Sequence, residues 1–321
     1  MRIGKGFGFL LGMAVSLACT ATSAFAQQIG TDEKPLTIAT GRFHGFLPAY
    51  RVVDELNEQG IVAELIEFPS ATERLEAVVS GYAQASYAGL TASVLLRARG
   101  KEVVIVASTN EKGRALVGRS DIADVAALKG KSIGVTFGSI EQMTLIALLR
   151  KNGLDPNRDV TLINMPATDQ PLALNGGSID AYMGFEPWAA FGVQNFGAKI
   201  LSYPYDTELG AIDSGIEMEA AFIKEYPDLA KAVVKAHINA VNYYRENPAE
   251  IVKTGVENYK VPEEIMTASM DNIELTYAIN VDNIKALAKF QVDMNFISQD
   301  EYDKIDWNGF IDESLLAAAE Q

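Results

Sequence analysis

The chain is nearly free of cysteine and short of histidine: of 321 residues, one is Cys and two are His. The cysteine, Cys19, falls in an N-terminal targeting segment described below. The rest of the chain therefore carries no thiol, which excludes disulfides, thiolate nucleophiles and Cys-ligated metals there. His44 and His237 stand in unrelated stretches, so no pair has metal-ligand spacing. Basic residues are also few, 27 Lys and Arg against 42 Asp and Glu, a net charge of −15. Nucleic acid and anionic membranes both call for clustered Lys and Arg, and are excluded as main partners. After the first residues no apolar run approaches the roughly 20 needed to span a bilayer. Enzyme signatures are missing too: there is no nucleophile-elbow serine, no zinc-protease His pair and no CxxC. Lys129-Gly130-Lys131-Ser132 imitates the end of a phosphate loop, but it lacks the upstream glycine and precedes a strand.

What is present begins with a leader. Arg2 and Lys5 give a positive start, Phe7 to Ala18 an apolar run of 12, and Ala24-Phe25-Ala26 a small-residue cleavage signal. Residues 1–26 read as a signal peptide cut after Ala26. The alternative, a lipoprotein cut before Cys19, fits Ser16-Leu17-Ala18 less well. Losing Arg2 and Lys5 takes the 27 basic residues to 25 and the net charge from −15 to −17. A secreted, thiol-free, acidic protein points to a bacterial periplasm.

The remainder alternates strand and helix. Strands are expected at 36–40, 61–68, 83–88 and 102–107, with helices at 48–59, from about 72 to Gly81, and 90–99. The pattern restarts near 117–121 and runs through strands at 132–136, 160–164, 179–184 and 199–203. After Ser214 the chain reads as almost wholly helical, with helices at 228–246, 248–258, 262–276 and 281–297. Such alternation implies parallel sheets with helices on their faces. The expected division is 27–118 for the first part of lobe 1, 119–215 for lobe 2, and 216–321 for a mostly helical return to lobe 1. The crossovers are placed near 117–121 and 204–216.

The organising stretch is Lys131 to Leu154. A short strand runs into Phe137-Gly138-Ser139 and then into an amphipathic helix from Ile140. A helix that starts directly off a buried strand aims its unpaired N–H groups and positive dipole end at one spot, a natural anion seat. In open α/β sheets, ligands lie outside the carboxyl ends of strands. Five such ends here carry polar or aromatic groups: Arg42 to Phe46, Ser70 to Thr72, Tyr87 to Thr91, Phe137 to Ile140, and Phe185 to Trp188. A cleft between lobes collects all five.

These residues resemble a known family. Glu67-Phe68-Pro69-Ser70-Ala71, Ala83 to Thr91, Leu128 to Ser139, Leu172 to Asp180 and Phe185-Glu186-Pro187-Trp188 are similar to the substrate-binding proteins of ABC importers for taurine, alkanesulfonates, nitrate and thiamine precursors. The resemblance covers residues 36 to about 300. It implies a type II periplasmic-binding-protein fold, two lobes of mostly parallel sheet flanked by helices and joined by two hinge segments. It implies a monomeric receptor without a cofactor that closes on a small organic anion or zwitterion. The receptor then docks on an inner-membrane permease with its ATPase, or presents the solute to a membrane sensor. A nitrogen heterocycle or an aromatic carboxylate is the alternative ligand. Sulfonate binders of the family often carry a His two or three residues after the Gly138-Ser139 turn, where this chain has Glu141-Gln142. Some relatives are thiamine-pyrimidine synthases with a cysteine-rich motif, which this chain lacks beyond Cys19.

The candidate ligand residues are Arg42, Phe43, His44, Phe46, Ser70, Tyr87, Gly89, Thr91, Phe137, Gly138, Ser139, Ile140, Glu141, Phe185, Glu186 and Trp188. Each has a plainer role open to it. Ser139 is a natural helix cap, and Arg42 and His44 suit a solvated loop. Glu186 suits charge stabilisation of a helix start. The aromatics divide between core and cleft wall, and His237 reads as structural.

Overall fold

The computed structural model describes residues 28–211 and 214–321; the leader at 1–26 lies outside them. The chain opens with β1 (Leu36–Thr40), α1 (Pro48–Glu58), β2 (Ala63–Glu67), α2 (Ala71–Val79), β3 (Ala85–Gly89), α3 (Leu90–Ala98) and β4 (Val103–Lys112). It then crosses to a second unit: β5 (Arg114–Gly118), β6 (Ser132–Val135), α4 (Ile140–Lys151), β7 (Thr161–Asn164), α5 (Gln170–Asn175), β8 (Ala181–Phe185), α6 (Trp188–Phe196) and β9 (Lys199–Ser202). It returns through β10 (Ser214–Glu219), α7 (Ala220–Glu225), α8 (Pro227–Glu246), α9 (Pro248–Tyr259), α10 (Glu263–Ser269) and β11 (Ile273–Leu275). Four helices close the chain: α11 (Val281–Asp293), α12 (Gln299–Asp303), α13 (Trp307–Phe310) and α14 (Glu313–Glu320).

Two sheets result, a six-stranded one ordered β11-β4-β10-β3-β1-β2 and a five-stranded one ordered β7-β6-β8-β5-β9. β1, β2 and β3 pair in parallel, as do β6, β7 and β8, while β10, β11 and β5 run against their neighbours. The strands β1, β3, β5 and β8 inside the two sheets are buried along their whole length. One face of the first packs on α1, α8 and α14 through residues such as Leu36, Val52, Val233 and Ala319, and the second sheet packs on α4 through Leu145 and Leu149. Each such buried Leu, Ile or Val stabilises by roughly 1.5–3 kcal/mol relative to exposure.

Four expectations are corrected. The first crossing is at Gly113, so Arg114–Gly118 belongs to the second sheet and not to lobe 1. The strand β4 runs on through the polar residues 108–112 before a local reversal, with φ of 62° at Lys112 and 84° at Gly113. Second, Ser214–Glu219 is a central strand between β3 and β4, where a helical return was expected; Glu217, fully buried within it, hid the pattern. Third, α10 ends at Ser269, and the residues after it form β11, an edge strand of the first sheet. Fourth, α11 stops at Asp293, ahead of Asn295 at φ 58°.

The crossings are tied together by one knot. The Arg114 N–H donates to Tyr205 Oη at 2.9 Å, and Tyr205 Oη lies 2.6 Å from Asn272 Oδ1. Asn272 Nδ2 in turn donates to Glu186 Oε1 at 3.0 Å. The knot joins both crossings, the end of β8 and the return segment. Removing the hydroxyl strands buried partners, at roughly 1–3 kcal/mol. Tyr205→Phe is therefore expected to lower the urea midpoint with an unchanged denaturant slope; an unaltered midpoint contradicts the role given to this knot.

Candidate functional site

The site grows from helix α2. Ser70 caps it through a reciprocal box, accepting from the Glu73 N–H while Glu73 Oε2 accepts from the Ser70 N–H. Its buried stripe includes Arg74, Leu75 and Val78. Long helical side chains lean toward the helix N-terminus, so Arg74 reaches back to the strand ends, and its Nη1 donates to the Phe68 carbonyl at 2.7 Å. Its guanidinium lies 5.6 Å from the Phe43 ring centre and 5.3 Å from that of Phe46. Gly41 makes the space, since a Cβ there would stand 2.6 Å from Arg74 Nη1. Arg74 is 2% exposed, and its Nε has no hydrogen-bond partner. Burial pulls its pKa down to about 10, which leaves it charged at neutral pH.

Around this cation stand three helix starts, each following a strand of its sheet. Ser70 and Ala71 begin α2, Gly89 begins α3, and Gly138 to Glu141 begin α4; all line one cavity of about 40 Å³ with Arg74, Phe43, Phe46 and Phe185. First-turn N–H groups lack a carbonyl four residues back, and the dipole is positive at that end. Ser139 caps α4 by accepting from the Gln142 N–H at 3.3 Å, while its own hydroxyl donates to the Thr136 carbonyl at 2.6 Å. The Gly138 N–H donates to Gln142 Oε1 at 2.7 Å. Residues of both lobes form the floor, because a Cβ on Gly89 would meet Ile140 Cγ2 at 3.6 Å. A volume of 40 Å³ admits only a small head group, since one water needs about 10–15 Å³ on this measure. Phe43, Pro69 and Ala167 also line a wider cavity of about 250 Å³ that includes Arg42, Glu67, Pro166 and Thr168. The narrow seat thus adjoins a broader chamber.

Behind Arg74 sits Glu217 of β10. Its carboxyl accepts from Ser93 Oγ at 2.7 Å and Ser86 Oγ at 2.9 Å. Burial nevertheless pushes its pKa up to about 8. Arg74 in turn stays charged at neutral pH, its pKa held up by Glu217 and Glu141 against the pull of burial.

Nine of the candidates line the seat: Phe43, Phe46, Ser70, Gly89, Gly138, Ser139, Ile140, Glu141 and Phe185. Arg42 lies at the wider chamber, its Nε paired with Glu67 at 2.9 Å and its side chain 50% exposed. The other six are placed elsewhere. His44 is fully buried, its Nδ1 2.6 Å from Ser269 Oγ, and burial drops its pKa to about 3. Tyr87 turns toward α8, its hydroxyl 3.0 Å from His237 Nδ1. Thr91 is buried in the first turn of α3 and accepts from Gln291 Nε2 through its carbonyl at 3.0 Å. Phe137 is 47% exposed outside the seat. The Glu186 carboxylate accepts from the Ala190 N–H and Asn272 Nδ2, both at 3.0 Å, and burial raises its pKa to about 7. The Trp188 indole N–H donates to the Arg42 carbonyl at 3.2 Å. The sequence reading missed Arg74 and Glu217. Arg74 sits among Glu73 and Glu76 and reads as solvated, but its spacing with Ala71, Leu75 and Val78 put it on the apolar stripe.

The Glu217 pKa of about 8 stands above its ordinary 4.5. The folded state therefore holds this proton more tightly, and stability contributed below 4.5 is lost as pH rises through 8. Glu217→Gln abolishes the titration. Its thermal midpoint relative to the parent protein is expected to rise between about pH 5 and about pH 8.5; a pH-independent difference contradicts the shift.

Comparison with known proteins adds five findings. The profile of the NMT1-like family matches residues 6–254. A putative aliphatic sulfonates-binding protein of Bacillus subtilis is 26% identical over 270 residues, covering 83% of this chain and 81% of the relative. Among solved structures, the alkanesulfonate-binding protein SsuA from Xanthomonas axonopodis pv. citri bound to MOPS superposes with a TM-score of 0.72 at 18% identity, covering 83% of this chain and 94% of that one. The periplasmic nitrate-binding protein NrtA from Synechocystis gives a TM-score of 0.78 at 15% identity over 89% and 88%. The same two-lobed periplasmic-binding fold is also that of a desulfurization enzyme, DSZB, with a TM-score of 0.68 at 16% identity over 89% and 99%.

Proposed function

The chain belongs to the NMT1-like family, and on that premise we propose that it is a periplasmic solute receptor of an ABC importer. It captures a small organic anion or zwitterion, of the sulfonate, taurine or nitrate kind, in the seat between its lobes. The observation that carries this reading is Arg74. A buried cation with an unpartnered Nε lines a cavity ringed by three helix starts, an arrangement suited to acid oxygens. Arg74 and Ser70 come from one lobe, and Ser139 to Glu141 from the other. A head group touching both sets favours the closed form by its differential contacts. The loaded receptor then docks on a membrane permease driven by its ATPase, and the leader delivers the chain to the periplasm.

Capture is favoured over catalysis by the seat's own residues. Among the described residues its lining holds neither cysteine nor histidine, and the Ser70 and Ser139 hydroxyls are engaged in capping helices. Phe43 and Phe185, with ring centres 4.7 Å apart, keep an aromatic carboxylate in view as the second ligand class.

Isothermal titration with sulfonates, nitrate and aromatic carboxylates tests the reading. Arg74→Met is expected to weaken anion binding by roughly 30-fold or more, the equivalent of about 2 kcal/mol for a lost buried charge contact. Arg42→Ala, already paired at the mouth, should change it by less than about threefold, as rim ion pairs do. Equal affinities in Arg74→Met and the parent protein overturn the assignment.

A further inference from the structure

The seat is not uniformly positive. Of the described residues that line it, two are charged: Arg74 on α2 and Glu141 on α4. Both are 2% exposed, and they face the same small cavity from opposite lobes. An ionised carboxylate only accepts hydrogen bonds. A purely anionic guest lying against the start of α4 meets Glu141 as a like charge. A guest that also carries a cationic donor turns that repulsion into a charge-assisted hydrogen bond. The aromatic walls suit such a donor, because Phe43, Phe46 and Phe185 line the seat and aromatic rings attract an alkylammonium.

We propose that Glu141 is the specificity-determining residue of the seat. Resting on the solute-receptor reading above, the solute it selects is a short zwitterion. Its acid head, a sulfonate or carboxylate, meets Arg74 and the helix starts, and a primary ammonium a few bonds away meets Glu141. The cavity of about 40 Å³ keeps the spacer short.

Titration calorimetry with matched pairs tests this: taurine against ethanesulfonate, and β-alanine against propionate, on the full mature chain and on Glu141→Gln. The unaltered protein is expected to bind the amine-bearing member of at least one pair about tenfold or more tighter than its amine-free partner, the worth of one charge-assisted hydrogen bond. Glu141→Gln should bring the two members within about twofold of each other while still binding the amine-free one, which also shows the seat intact. Three results overturn the proposal and leave the anion-receptor reading standing: no amine preference in the unaltered protein, a preference that survives Glu141→Gln, or an equal gain in affinity for both members. The last makes Glu141 a counter-charge to Arg74 alone. Binding of neither member of either pair, together with no binding of nitrate or aromatic carboxylates, overturns the receptor reading and this one with it.

Discussion

A guanidinium held out of water with one nitrogen unmet is the constraint on which the rest of this molecule depends. Burying a charge is costly unless partners replace its hydration. Arg74 recovers part of that cost from the Phe68 carbonyl and from the rings of Phe43 and Phe46. Gly41 is glycine because the guanidinium occupies the space a side chain would take. Glu217 lies behind it, and Glu217 and Glu141 hold the Arg74 pKa up against burial. On the proposed reading, an acid head in the gap between the lobes meets the remaining demand.

The fold brings the matching donors to that place. Each α/β unit ends a strand in a helix start, and the two sheets set α2, α3 and α4 around one cavity. The lobes meet through apolar contacts on both sides of it. Leu90 and Val94 share a cluster with Ile140 and Met143, and Ala190 of α6 packs with Ile251 and Ile265 of α9 and α10. A guest that touches both lobes therefore adds to a surface that already favours closure. The Arg114–Tyr205–Asn272–Glu186 knot fixes where the chain crosses. Glu186 thus serves the joint rather than the guest.

Much of the architecture was legible because period and punctuation agree. Helix α4 followed from apolar spacing and the Gly153 stop, and α2 from Leu75, Val78 and Val79 ahead of Gly81. The seat's small-residue turn at Gly138-Ser139 was legible for the same reason. The central strand β10 was not, since a buried glutamate in Ser-Gly-Ile-Glu-Met-Glu breaks the apolar pattern that marks a strand. The break at Gly113 was missed because β4 runs on through the polar residues 108–112, where the apolar pattern has already ended. Arg42 and Arg74 show the limit most plainly. A loop arginine beside aromatics looks like a ligand group, yet its neighbour across the sheet, Glu67, satisfies it. A helix arginine between glutamates looks solvated, yet the stripe it shares with Leu75 and Val78 turns it inward. Pairing and burial are set by residues distant in sequence, which spacing alone does not report.

The central claim is that an acid head sits between Arg74 of one lobe and the start of α4 in the other. A crystal structure with ethanesulfonate bound tests it most directly. The account predicts sulfonate oxygens within hydrogen-bonding distance of an Arg74 nitrogen and of a backbone N–H among Ser139 to Glu141. A sulfonate held at the mouth by Arg42, with Arg74 Nε still unmet, would contradict it.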